Sequence, residues 1–135
     1  MVRRVQVLLT HQHLLRSQLR TLTDGHLSRI TPPLIEKAAR NGDPVAKFII
    51  AETGFYLGAW LGTMISVLDP EAIVIGGGVS KIGKPLFDVI RRTIPRYTLN
   101  QFAAKTPVMP AKLQTNVGIF GAASLFLPGG RAEAL

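Results

Sequence analysis

The chain has 135 residues, 47% of them apolar and 18% charged, which suits one ordinary domain with a real core and excludes a two-domain arrangement. It has no cysteine, which excludes disulfides and thiolate-held zinc or iron–sulfur sites and leaves only His and carboxylates for any metal. A net charge of +8, from 16 Lys and Arg against 8 Asp and Glu, favours phosphate-bearing partners such as nucleotides, nucleic acid or acidic surfaces.

The first residues, Met1-Val-Arg-Arg and the apolar Val5 to Leu9, are interrupted by Gln6 and by Thr10-His-Gln-His13. They make a poor signal peptide, and a cytoplasmic location is expected. Half of the excess charge lies within residues 1 to 30, where Arg3, Arg4, Arg16, Arg20 and Arg29 face only Asp24. Val5, Leu8, Leu14, Leu15 and Leu19 would give this stretch a short helical core. A DNA-reading module of the winged helix-turn-helix kind needs about 60 residues, so DNA is not an expected partner. His11, His13 and His26 have no paired carboxylate and are read as solvated, with no metal site.

From Thr31 the pattern becomes helical. Thr31-Pro-Pro-Leu-Ile-Glu36 offers an N-cap, prolines at the start and an acid in the first turn, predicting a helix to about Arg40. Asn41-Gly42 ends it, and Asp43-Pro44 caps a second helix predicted to run through Val67. That helix is apolar nearly all round and is expected in the middle of the fold, with Phe55 and Trp60 as core residues. Its uncharged run, Gly54 to Leu68, is 15 residues, short of the roughly 20 that cross a membrane, so no membrane partner is expected. Gly54, Gly58 and Gly62 each cost about 1 kcal/mol of helix propensity, which predicts close approach of another backbone along their face.

Asp69-Pro70-Glu71 breaks this helix, and Ala72 to Ile75 reads as a buried strand running into Gly76-Gly77-Gly78. After Val79-Ser-Lys-Ile-Gly83 a helix is predicted from Lys84 or Pro85 to about Ile94, before Pro95. Arg91, Arg92 and Arg96 at its end need only the helix dipole to explain them. Val108 to Leu113 reads as a second strand, at an edge or bulge because of Pro110. A last helix is predicted over Asn116 to Leu127, with residues 131 to 135 frayed.

The order implies a βαβ crossover and an α/β class. Two strands leave both edges of a parallel sheet open, so the chain is expected to be a homo-oligomer or to have lost a sheet partner. A stable monomer by light scattering at high concentration would count against this.

The strand, glycine turn and helix form the constellation with most chemical content, since glycines admit a ligand to the backbone and a helix N-terminus attracts anions. The dinucleotide pattern G-x-G-x-x-G fails at Lys81. The P-loop pattern aligns Gly78 with Gly83-Lys84 but meets Pro85 where the magnesium-binding hydroxyl belongs. A purely structural glycine turn stays open as an alternative.

Four blocks in order carry a resemblance: Asn41-Gly-Asp-Pro-Val-Ala46, Thr53-Gly-Phe-Tyr-Leu-Gly58, Leu68-Asp-Pro-Glu-Ala-Ile-Val-Ile-Gly-Gly-Gly-Val-Ser80 and Val117-Gly-Ile-Phe-Gly-Ala-Ala123. Together they resemble the C-terminal third of the ROK family (repressors, open reading frames, kinases). The resemblance implies an actin/hexokinase-like, ribonuclease H-like ATPase fold, and membership among ATP-dependent sugar kinases such as glucokinase or sugar-responsive repressors. It divides the chain into an atypical basic segment, 1–23, and a ROK-like C-terminal fragment, 24–130. It places the adenosine of a nucleotide beside Gly76, Gly77, Gly78, Val79 and Ser80. ATP with magnesium, and a sugar, are implied for an intact parent, with weak nucleotide binding at best for this chain.

The departures are equally specific. The 135 residues contain no Asp-x-Gly-x-Thr phosphate loop, no Asn-Asp pair for the catalytic base, no Gly-Thr-Gly second loop and no cysteine motif. No catalytic residue is therefore assigned. A truncated or frame-shifted sugar kinase accounts for this pattern, with a regulator fragment or a dimerisation module as alternatives.

Overall fold

The computed structural model describes residues 1–11 and 17–112. Helix α1, Val2–His11, turns Val5 and Leu9 fully inward. A short α2, Gln18–Leu22, is capped by Ser17, whose Oγ accepts from the Leu19 amide at 3.2 Å, and it buries Leu19. Both helices thus contribute to the core. Helix α3, Pro32–Arg40, begins at its proline, but the Thr31 side chain makes no capping bond. Glu36 lies beyond the first turn and pairs with Arg40 one turn on, so the expected acid at the helix start is instead a half-buried partner of an exposed arginine.

Helix α4, Pro44–Leu68, spans 25 residues. Asp43 caps it, its Oδ1 accepting from the Ala46 amide at 2.8 Å, and Asp69 ends it with a left-handed φ of 42°. Its buried face carries Val45, Ile49, Leu61 and Ile65 together with the three glycines. Against these glycines lies α5, Lys84–Thr93, and the 3-10 turn that extends it, Ile94–Arg96. A Cβ at Gly54 would stand 2.7 Å from Val89 Cβ, one at Gly58 2.6 Å from Thr93 Cβ, and one at Gly62 2.8 Å from the Ile94 carbonyl. The close approach predicted from their four-residue spacing is therefore what the glycines provide. Leu86, Ile90 and Ile94 come down beside this seam, each at most 2% exposed. Burial of one such side chain stabilises the fold by about 1.5–3 kcal/mol.

The opposite face of α4 differs from expectation. Phe55 and Trp60 are 38% and 59% exposed, so neither is a core residue, and α4 is covered on one side only by the described residues. By length and composition alone α4 is apolar enough to cross a membrane. Its packing on α3 and α5 is that of a domain helix.

Strand β1, Ile73–Ile75, pairs in parallel with β2, Val108–Pro110, in the register Ile73 to Val108 and Ile75 to Pro110. Helix α5 connects them, completing the expected βαβ unit. Arg91 ties it to the sheet by donating to the Val108 carbonyl, at 2.7 Å from Nη2 and 3.3 Å from Nε. The strand is not buried on both faces: Val74 is 60% exposed because no layer among the described residues covers that side. The predicted helix Asn116 to Leu127, the end of the second predicted strand and the block from Val117 to Ala123 lie outside the described residues.

Candidate functional site

The glycine turn sits at the carboxyl end of β1, the end of a parallel strand at which open α/β sheets bind their ligands. Gly76, Gly77 and Gly78 are all exposed. Gly77 has φ 84° and ψ −178°, a region that is essentially glycine's alone. Its carbonyl is held from within, accepting from the Ser80 hydroxyl at 2.7 Å and the Ser80 amide at 3.3 Å. Ser80 is buried, so its hydroxyl shapes the turn and is not presented to a ligand, while Val79 is half-buried against the core.

As the sequence predicts, the residues up to Gly83 separate the turn from α5, which starts at Lys84. A five-residue 3-10 segment, Gly78–Ile82, intervenes, anchored by buried Ile82, and Gly83 at φ 68° then re-aims the chain into α5. The full α-helical dipole therefore starts six residues beyond Gly78, and the turn's own amides are the nearer donors. Those of Gly78 and Val79 meet no acceptor among the described residues.

Gly78 separates a functional from a purely structural turn. Its φ is not positive, and a Cβ built there meets nothing within 4 Å among the described residues. Neither backbone strain nor packing among the described residues requires glycine at this position, so the turn has room there for a group to approach the backbone. Gly77 also faces open space, but its backbone alone explains it.

The surrounding charge is positive. Lys81 is exposed, and Lys84 donates to Asp88 Oδ2 at 2.6 Å. That hydrogen bond holds the Asp88 carboxyl below its ordinary value, outweighing the opposing desolvation with help from the Lys84, Arg91 and Arg92 charges. A depressed carboxyl contributes stability that is present above its unfolded value and lost as pH falls through its folded one. The Asp88 side chain is thus expected to titrate below an ordinary Asp in a carbon-detected NMR series, and Lys84→Ala to bring it back up. An unchanged midpoint in that variant would remove the pair as the cause.

Asp69 and Glu71 lie at the opposite end of β1, away from the turn, as a helix stop and an exposed acid. Among the described residues no three His, Asp or Glu side chains gather into a possible metal site. His26 is exposed, while the side chain of His11 and all of His13 lie outside the described residues. From Gly76 an apolar groove of about 500 Å³ runs along β1, walled on the other side by Leu57, Trp60 and Met64 of α4. Sequence reasoning missed both this groove and the Arg91 tie to β2. The run of apolar residues all round α4 was the available sign of the first; nothing local signals the second.

Comparison with known proteins places these features in a family. The family model described as the ROK family matches residues 14–128. The glucokinase of Streptomyces coelicolor is 35% identical over 105 residues, covering 77% of this chain and 33% of that protein. The DNA-binding transcriptional dual regulator NagC of Escherichia coli is 31% identical over 109 residues, covering 76% of the chain and 27% of the regulator. The structure of a ROK family glucokinase from Streptomyces griseus, in complex with glucose and AMPPNP, superposes with a TM-score of 0.80 at 34% identity, covering 92% of this chain and 40% of that one. The chain thus spans about a third of the length of the curated relatives it matches. The fold is the actin/hexokinase-like architecture of ROK sugar kinases, of which the helices and the parallel βαβ unit form a part.

Proposed function

Since this chain belongs to the ROK family, we propose that it is a sugar-kinase fragment, glucokinase-like, carrying part of the adenine-nucleotide site at Gly76 to Ser80. The observation that carries the proposal is Gly78, a glycine required neither by its backbone nor by packing among the described residues, at the carboxyl end of a parallel strand. The similarity to a glucokinase whose structure holds AMPPNP supports the same reading. In it, Gly77 bends the chain, Ser80 fixes the bend, and the amides of Gly78 and Val79 face the nucleoside.

Phosphoryl transfer needs a group that orients the attacking hydroxyl and a clamp on the phosphates. The 135 residues offer neither motif. Magnesium would accompany the nucleotide in a whole enzyme, and the described residues supply no ligand set for it. The sugar likewise belongs to a whole enzyme, and we place the chain in the cytoplasm on the strength of its glucokinase relatives.

Two results follow. Alone, the chain should release no ADP in a glucose-dependent coupled assay, and a rate above the protein-free blank would contradict the fragment reading. With increasing Mg-ATP its melting temperature should rise, by an amount equivalent to about 2.7 kcal/mol if the ligand reaches a hundred times its Kd. Gly78→Val should abolish that response while leaving the ligand-free melting temperature unchanged, whereas Gly77→Ala should itself lower it by straining the turn. A Gly78→Val chain that still responds fully would return the turn to a purely structural role.

A second reading, a fragment of a sugar-responsive regulator, draws on the similarity to NagC. The inward faces of α1 and α2, Val5, Leu9 and Leu19, are fully buried in the body, which leaves them little to offer as an independent DNA-reading module. Steep salt-dependent binding to duplex DNA would favour this reading.

A further inference from the structure

The three most exposed large apolar side chains among the described residues gather at one end of the molecule, opposite the glycine turn. Val67, at the end of α4, is 70% exposed, and Leu99 and Phe102, in the loop that follows the Ile94–Arg96 turn, are 93% and 82% exposed. None of them lines the groove along β1. The loop is held in place: the Leu99 amide donates to Ser66 Oγ at 3.0 Å, the Phe102 amide to Asn100 Oδ1 at 2.8 Å, and the Ala104 amide to the Asn100 carbonyl at 3.0 Å. Leu99 and Phe102 are therefore turned outward by a built backbone and not by fraying. Cations surround them. From Val89 to Lys112 the sequence carries Arg91, Arg92, Arg96, Lys105 and Lys112 and no acid. Arg96 and Lys105 flank the loop, and the Lys105 ammonium lies 5.8 Å from the centre of the Phe102 ring. Asp69 and Glu71, just past the end of α4, offset this charge only in part. A protein partner would need a hollow shaped to receive Leu99 and Phe102 and acids around it, whereas a bilayer closes around any apolar tip and supplies the anions as lipid phosphates.

We propose that this end of the molecule docks on an anionic lipid membrane surface. Leu99, Phe102 and Val67 enter the boundary between headgroups and acyl chains, and Arg96 and Lys105 meet the lipid phosphates. The short uncharged run in α4 argues against crossing a membrane, not against lying on one, and a cytoplasmic chain faces an anionic leaflet. The inference is independent of the nucleotide site.

The chain has no cysteine, so Leu99→Cys carries a single nitroxide label at the surface in question. The full chain is mixed with vesicles of phosphatidylcholine and phosphatidylglycerol, and with vesicles of phosphatidylcholine alone. Sedimentation with the anionic vesicles is expected, weaker by about tenfold or more with the neutral ones. On the anionic vesicles the nitroxide should become open to oxygen and shielded from a water-soluble nickel complex. Leu99→Ser combined with Phe102→Ser, both at exposed positions, should weaken binding about tenfold or more and leave the free chain's melting temperature unchanged. Lys105→Gln should weaken it about fivefold, and Lys37→Gln, which removes an exposed cation on α3, much less. Binding that survives the double substitution, or a bound label that stays open to nickel, would overturn the proposal in favour of unspecific adsorption of a cationic chain. So would a chain that ignores vesicles and instead loses duplex DNA binding, or self-association, through the double substitution, since nucleic acid or a second copy would then occupy the surface. Should the double variant melt lower, the label's depth and the contrast between Lys105→Gln and Lys37→Gln decide the matter.

Discussion

Replacing Gly58 with valine is expected to destabilise the chain more than any surface substitution, because the space a side chain needs is already filled. A Cβ there would stand 2.6 Å from Thr93 Cβ and 2.9 Å from the Ile90 carbonyl oxygen. The second neighbour is backbone and has no rotamer to relieve the clash, so α5 must move away from α4. Overpacking of this kind costs about 1–3 kcal/mol, occasionally more. The helix-propensity gain on leaving glycine is at most about 1 kcal/mol and smaller for a β-branched residue. A clear fall in the urea midpoint is expected for Gly58→Val, with a smaller fall for Gly58→Ala. A midpoint that stays or rises would show that the α4–α5 seam is looser than described.

Asp43→Ala should have a comparable effect by a different route. The Asp43 carboxylate is 2% exposed, caps α4 through the Ala46 amide, and accepts from the Gln18 amide at the start of α2. Loss of the cap costs about 0.5–2 kcal/mol, and loss of the part-buried bond from the Gln18 amide about 0.5–1.5 kcal/mol more. A combined loss of about 2–3 kcal/mol is expected in a denaturant melt. Asp43→Asn, which keeps an acceptor for the cap, should recover part of it. Equal losses for both variants would mean that the negative charge, not the hydrogen bonds, matters at this position.

These two positions show what was legible in the sequence. Asp43-Pro44 and Asp69-Pro70 fixed the ends of α4 because caps and prolines act within one turn of the residue that carries them. The four-residue spacing of Gly54, Gly58 and Gly62 identified the face that α5 would meet. The partner that Asp43 finds in Gln18, 25 positions away, left no local trace, nor did the bond from Arg91 to Val108 across 17 positions. Phe55, Trp60 and Val74 were misplaced for another reason. Their pattern encodes burial, and the described residues supply only one of the layers that would bury them. Apolar residues on every side of α4 are what a helix at the centre of a larger fold requires, and the chain matches only part of such a fold.

The candidate site was legible as a motif but not as a geometry. Three consecutive glycines after a β-branched run located the turn, and the ordered blocks around them indicated the family. Glycine spacing could not distinguish Gly77, held at φ 84° for the sake of the backbone, from Gly78, which the backbone does not constrain. Nor could it reveal that Ser80 is turned inward onto the Gly77 carbonyl.

The central claim, that Gly76 to Ser80 form part of an adenine-nucleotide site, is tested most directly by following the backbone amide resonances of the chain during titration with ADP. The account predicts saturable shifts concentrated at Gly77, Gly78 and Val79, absent in Gly78→Val. Shifts confined to other parts of the chain, or shifts at the turn that survive in that variant unchanged, would contradict it.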